Sequence, residues 1–173
     1  MFGLTPILDS NAAGQSSRRY FNCLEIEAER NDFMAEFTNV NIQTIAAGQN
    51  VPLTETAVNS KPCIVHREGS GLVTLRGLTN QGRALYRVSY GGNIAIPTGG
   101  TVEAITAALA INGEALASAT ATVTPAAVEN YFNIYVSAQI CVPKGCCVTV
   151  GMRNTSTQAV NFANSNLTVE RVA

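Results

Sequence analysis

Alternating apolar and polar positions dominate the chain from residue 39 onward. The alternation recurs in five stretches, at residues 40–44, 84–96, 101–111, 114–123 and 129–142. A period of two residues is that of a β-strand, in which successive side chains point to opposite faces of a sheet. We therefore predict that residues 39–173 form an all-β domain.

Turn-forming residues separate these stretches. Asn112-Gly113 stands between 101–111 and 114–123 and is typical of a two-residue hairpin turn, because both residue types tolerate a positive φ. Pro143-Lys144-Gly145 ends another stretch. Strands of this length with regular turn spacing predict an antiparallel sandwich or barrel.

Residues 23–38 can be interpreted in two ways. Leu24, Ile26 and Ala28 alternate with glutamates, which favours a strand with one solvated face. The same stretch is rich in residue types that favour a helix. We predict a strand and keep the helix as the alternative.

The first 22 residues show no period and contain many turn formers. They nevertheless carry six large apolar side chains: Phe2, Leu4, Ile7, Leu8, Tyr20 and Phe21. Such a segment is either a solvated tail or an arm that orders only against a partner. We predict the second, with residues 1–38 as an N-terminal arm and anchoring segment and 39–173 as the β domain.

Two of the predicted strands lack a charged, solvated face. In 101–111 both faces are mostly apolar, and from Tyr131 to Cys141 the second face of 129–142 carries no charge. Monomers rarely expose large contiguous apolar patches, so we predict that another subunit covers these faces. The predicted interface residues are Ala104, Ala108, Ala110, Tyr131 and Tyr135. The alternative is an alanine-rich, weakly polar surface that stays in solvent.

The composition of the chain argues against two classes of protein, those that bind nucleic acids and those that insert into membranes. Charged residues make up 13% of the chain, and 11 basic against 12 acidic residues leave a net charge of −1. Without a basic excess, nucleic acid is not an expected partner. No apolar run reaches the ~18 residues that a membrane helix needs, so no membrane insertion is expected. The first residues also lack the basic and apolar regions of a secretory signal.

Candidate catalytic and metal-binding chemistry is sparse. His66 is the only histidine, which excludes a multi-histidine metal site within one chain, and we predict no Ser-His-Asp triad. No nucleophile motif or phosphate-binding glycine loop occurs. We expect the five cysteines to be reduced and buried as small apolar residues: Cys23, Cys63, Cys141, Cys146 and Cys147. We therefore predict neither an enzyme nor a cofactor.

Three short motifs carry a family resemblance. They are Ile45–Leu53, Leu85–Tyr90 with Gly82 before it, and Leu109–Leu116 around the Asn-Gly turn. These motifs resemble C1q/TNF-like jelly-roll domains of bacterial collagen-like surface and spore proteins and of phage structural proteins. The resemblance covers about residues 40–172. It implies an antiparallel jelly-roll sandwich that forms trimers, with the small-residue face at the threefold axis.

The resemblance also implies a function. It indicates a phage virion structural protein, either a trimeric capsid decoration or a head-fibre protein, with the β domain exposed on the capsid surface of a virion assembled in the host cytoplasm. The alternative is a bacterial surface or spore-coat trimer with a binding role. No collagen-like Gly-X-Y tract precedes the domain, which favours the virion. Expected partners are two further copies of the chain, a capsid or other scaffold protein, and a glycan or protein of the host surface.

Overall fold

A computed structural model describes residues 33–173. Within this range the regular structure consists of β-strands alone. The eleven strands are β1 Met34–Asn39, β2 Gln43–Ile45, β3 Glu55–Val58, β4 Ile64–His66, β5 Val73–Arg76, β6 Arg83–Ala95, β7 Ile105–Ile111, β8 Glu114–Val123, β9 Phe132–Pro143, β10 Cys147–Asn154 and β11 Val160–Arg171. None of residues 33–173 belongs to a helix long and apolar enough to cross a membrane.

The strands form two antiparallel sheets. Sheet 1 has the order β3-β1-β11-β6-β9, with β2 also paired to β11, and sheet 2 has the order β4-β5-β10-β7-β8. The longer strands are distributed so that neighbours within a sheet are mostly distant in sequence, such as β1 beside β11 and β10 beside β7. This arrangement is a jelly roll, as the family resemblance implied.

The core lies between the two sheets. In β9 the side chains of Ile134, Val136 and Ile140 are buried and alternate with exposed ones, which is the period that the sequence showed. Two buried tyrosines of β6 bring hydroxyl groups into this core. Tyr90 Oη lies 2.7 Å from Ser165 Oγ, and Tyr86 Oη donates to the Arg76 carbonyl at 2.6 Å.

Strand β1 places the start of the β domain earlier than predicted. It lies inside sheet 1, between β3 and β11, and its Ala35 and Phe37 side chains are buried in the core. The compact unit that contains it begins at Asp32. A boundary at residue 39 would cut this strand from the sheet, so the anchoring segment cannot include Met34–Asn39. Residues 34–39 form the strand that we favoured over a helix, and residues 23–32 lie outside the described range.

The β7–β8 hairpin confirms the predicted Asn-Gly turn. Ile111 and Glu114 face each other across the ladder, and only Asn112 and Gly113 connect them. Their φ angles are 51° and 87°, in the left-handed region that these two residue types enter at low cost.

Candidate subunit interface

The outer face of sheet 1, turned away from the core, presents uncharged side chains along β6 and β9. Tyr135 lies opposite Gly91 in the ladder, Asn133 opposite Asn93, and Ser137 opposite Ser89. We call these six residues the polar face. All of them occupy strand positions that alternate with buried core residues.

Tyr135 is the most prominent side chain of the polar face. It is 68% exposed, the highest value among the exposed large apolar side chains of residues 33–173. Aromatic side chains bury large areas when a partner covers them, and tyrosine is enriched at interfaces for this reason. An exposed tyrosine at the centre of an uncharged surface is therefore a candidate anchor for a second chain.

The polar groups around Tyr135 already have partners within the sheet. The hydroxyls of Ser89 and Ser137 lie 3.1 Å apart. The amide of Asn133 donates to Asn93 Oδ1 at 3.2 Å and to the Gly92 carbonyl at 3.3 Å. Burying a polar group is costly mainly when it has no hydrogen bond, so a partner can cover these residues at little cost.

Charged side chains lie beside the polar face in the same sheet, on β6, β11 and β1. Arg87 and Glu170 form an ion pair of 3.6 Å between half-exposed side chains, and the Asn166 amide donates to the Glu36 carboxylate. An ion pair this exposed contributes little to stability, because water and salt screen it. An uncharged centre with charges at its margin is the usual anatomy of a protein–protein interface.

The five predicted interface residues do not lie on one surface. Tyr131 and Tyr135 belong with sheet 1, where Tyr131 directly precedes β9 and is 38% exposed. Ala108 and Ala110 lie on β7, in sheet 2, and Ala104 directly precedes that strand and is exposed. The two halves of the predicted set are therefore on different sheets.

Ala108 and Ala110 are buried within a single chain. Their exposed fractions are 0% and 1%, and neither belongs to the core between the sheets. Arg153 lies opposite Ala108, and its guanidinium donates to the carbonyls of Gly48 and Gly113. Its side chain therefore extends along the outer face of sheet 2 beside these alanines. The prediction that another subunit buries them is corrected, because the chain covers them itself.

The predicted arm residues are outside the described range. Phe2, Leu4, Ile7, Leu8, Tyr20 and Phe21 all precede residue 33, as does Cys23. Their role as an anchor stays a prediction.

The cysteines correct another expectation. Cys63 is buried, but Cys141, Cys146 and Cys147 are exposed, and none of these four forms a disulfide. Cys147 begins β10 and Cys146 directly precedes it, whereas Cys141 occupies an outward position of β9 between the buried Ile140 and Val142. Cys141 lies opposite Leu85 on the outer face of sheet 1, the side that also carries Tyr135.

Residues 33–173 bring together no cluster of three or more His, Cys, Asp or Glu side chains that could hold a metal ion. The clearest pKa changes in this range belong to core tyrosines. Burial raises the pKa of Tyr90 to about 12, partly offset by its hydrogen bond with Ser165. Burial, together with the nearby Cys63 thiol, raises the pKa of Tyr86 to about 12 although Arg171 opposes it. These hydroxyls therefore stay protonated, and their hydrogen bonds to Arg76 and Ser165 stabilise the core.

Comparison with known proteins identifies the fold. No protein-family profile matches the chain, and no curated protein matches its sequence. The globular domain of zebrafish complement 1qA protein superposes with a TM-score of 0.51 at 7% identity, covering 82% of this chain and 98% of that one. Murine APRIL superposes with a TM-score of 0.54 at 11% identity, covering 81% and 98%. The chain has the C1q/TNF-like jelly-roll fold.

The polar face was partly visible in the sequence. The uncharged stretch from Tyr131 to Cys141 indicated one of its strands. The contribution of β6 was missed, because Ser89, Gly91 and Asn93 share their face of the strand with Arg83 and Arg87 and resemble part of an ordinary solvated face. Only the register with β9 shows that the uncharged part of β6 adjoins Tyr135.

Proposed function

We propose that this protein is a structural protein of a phage virion. It forms a homotrimeric capsid decoration or head fibre, attached through its N-terminal segment, with its β domain on the particle surface. The observation that carries the proposal is the polar face of sheet 1, on which a two-thirds exposed tyrosine stands among hydrogen-bonded, uncharged neighbours.

The polar face fits an assembly around an axis. Gly91, Ser89 and Ser137 are small, so another chain can approach the sheet closely, and the Tyr135 ring can fill the space between chains. Three copies related by a threefold axis bury the face in a closed ring without leaving an open surface for further growth. The family resemblance supports three as the number of copies.

The N-terminal segment supplies the attachment. Ordering a chain costs roughly 1–2 kcal/mol per residue in backbone entropy, so residues 1–22 should order only where a partner buries their apolar side chains. We place the anchoring segment before Phe33, because the Phe33 carbonyl accepts a 2.6 Å hydrogen bond from the Arg171 amide in the body of the domain.

Two measurements test this function. Sedimentation equilibrium of the full chain should give about three times its mass of 18.2 kDa. Purified protein should also co-sediment with undecorated capsids of the parent phage, and cryo-electron microscopy of the decorated particle should show three β domains at each attachment point. A stable monomer at micromolar concentration contradicts the trimer. Decorated particles in which the N-terminal segment makes no contact with the capsid contradict the proposed attachment.

A further inference from the structure

A cleft of about 370 Å³ opens between the edge strands of the two sheets, at β3 of sheet 1 and β4 of sheet 2. Its lining comes from four separate segments of one chain: Phe37, Thr56, Asn59, Lys61, His66, Arg67 and Glu68. This volume is at the lower end of the range of small-molecule sites. The cleft lies far along the sheets from β6 and β9, which are at the other side of sheet 1.

The lining carries excess positive charge. Lys61 and Arg67 are both exposed, and Glu68 is its one carboxylate. Within residues 33–173, neither cation makes a side-chain hydrogen bond or an ion pair, and the ion pair found there joins Arg87 to Glu170 on sheet 1. Both cations therefore remain available to an anionic group, which they would hold by charge-assisted hydrogen bonds.

The backbone that carries the cations is fixed. Two hydrogen bonds hold the loop that follows Arg67 against Leu53. The Gly69 amide donates to the Leu53 carbonyl at 2.7 Å, and the Leu53 amide donates to the Ser70 carbonyl at 3.0 Å. The turn that carries Lys61 is closed by a 3.0 Å bond from the Ile64 amide to the Ser60 carbonyl. A site that is ordered beforehand loses less entropy on binding.

His66 forms part of the cleft wall. Its ring packs against Phe37 with centroids 4.6 Å apart, and its Nε2 lies 3.0 Å from the Ser70 carbonyl. The other ring nitrogen, Nδ1, is buried and has no hydrogen-bond partner. Within residues 33–173, Asn50 Oδ1 is the one other buried side-chain polar atom without a partner. Unpaired buried polar atoms are rare in folded proteins. One polar atom in the wall of the cleft, His66 Nδ1, thus has no partner within residues 33–173.

We propose that this cleft binds a ligand of monosaccharide size through a carboxylate or sulfate group. Lys61 and Arg67 would hold the anion, while Thr56 and Asn59 line the same space and carry a hydroxyl and an amide group that can bond to sugar hydroxyls. A bare ion would leave most of the volume unfilled. All lining residues belong to one chain, so the proposal does not depend on the trimer or on the virion.

Titration of the full chain with four probes tests the proposal. The probes are glucuronic acid, glucose 6-sulfate, glucose and sodium sulfate, followed by amide chemical shifts in NMR spectra. We expect saturable binding of the two acidic sugars, with shifts at Lys61 and Arg67. Glucose and sulfate should each bind at least about tenfold more weakly, because each supplies only part of the charge-assisted and neutral hydrogen bonds.

Variants connect the binding to the cleft. Lys61→Gln and Arg67→Gln should each weaken binding of the acidic sugars by about tenfold, the usual loss for one charge-assisted hydrogen bond. Arg76→Gln is the matched control, because Arg76 is an exposed arginine of sheet 2 that does not line the cleft. Thermal unfolding of each variant shows whether it is folded.

Four results would overturn the proposal. The first is that neither acidic sugar binds saturably, and the second is that glucose binds as tightly as glucuronic acid. The third is that Arg76→Gln loses as much affinity for the acidic sugars as the two cleft variants. The fourth is that sodium sulfate binds as tightly as glucose 6-sulfate. The last result would make the cleft a site for an inorganic ion. None of these results bears on the oligomeric state, which sedimentation measures separately.

Discussion

The ring of Tyr135 on β9 lies over Gly91 on β6. The two residues face each other across the ladder, and a Cβ at position 91 would be 3.9 Å from Cδ2 of the tyrosine. Gly91 thus leaves a flat surface beneath a ring that is largely open to solvent. This pair lies at the centre of the proposed subunit interface, and the first prediction depends on it.

Tyr135→Asp should dissociate the trimer while the β domain stays folded. An aspartate here is solvated in the monomer but would be buried without a partner in the trimer, at a cost of several kcal/mol. Thr122→Asp is the control, because Thr122 is exposed on β8 in the other sheet. Sedimentation velocity should show a monomer for the first variant and an unchanged trimer for the second. The reverse pattern would move the interface to sheet 2.

Two N-terminal deletions should behave differently. Removing residues 1–31 leaves the compact unit that begins at Asp32, so a folded trimer that no longer co-sediments with capsids is expected. Removing residues 1–39 also deletes β1 and takes the buried Phe37 from the core, which costs about 3–5 kcal/mol for that side chain alone. Circular dichroism and thermal unfolding measure the difference. Unchanged capsid binding by the shorter deletion would place the anchor in the β domain.

Tyr90 should make the protein less stable at alkaline pH. Below pH 10 its phenol is protonated in both the folded and the unfolded chain, and its titration does not affect stability. Between pH 10 and about 12 the phenol ionises only in the unfolded chain, because burial raises its pKa in the folded state. The free energy of unfolding should therefore fall across this range, by about 2–3 kcal/mol from this group.

Urea unfolding at pH 8–11.5 and fixed protein concentration, with wild type and Tyr90→Phe compared, isolates this effect. The variant should lose about 1 kcal/mol at pH 8, because Ser165 loses its hydrogen-bond partner, and should then show a smaller decrease with pH. Parallel curves for the two proteins would mean that Tyr90 titrates normally in the folded state.

The cysteines should report on assembly. Iodoacetamide should modify Cys146 and Cys147 quickly in any state, and Cys63 slowly, since Cys63 is buried and accepts a hydrogen bond from Arg171 at 3.3 Å. Cys141 should react slowly in the trimer, because it shares the outer face of sheet 1, and quickly in Tyr135→Asp. Peptide mass spectrometry gives the rate at each site. A Cys141 rate that is fast in both proteins would place this cysteine outside the interface.

The sequence by itself determined the long strands β6, β8 and β9 and the β7–β8 turn, because these depend on local properties, whereas β3 was not predicted. A two-residue period makes every second side chain of β9 apolar, whichever strand pairs with it. Asn112 and Gly113 adopt positive φ because their own side chains, or the lack of one, permit it. The same reasoning identified an uncharged face around Tyr135 before its neighbours on β6 were known.

Only the tertiary structure decided what covers each face. Strands β7 and β9 show similar patterns, and both lack a charged face. Strand β7 lies inside sheet 2, where Arg153 extends beside Ala108, whereas β9 is the edge strand of sheet 1 and leaves Tyr135 exposed. The cleft depends on tertiary structure in the same way, since Phe37 and Arg67 meet only when the sheet edges are assembled. Burial of a side chain depends on atoms that are distant in sequence, and a local pattern contains no information about them.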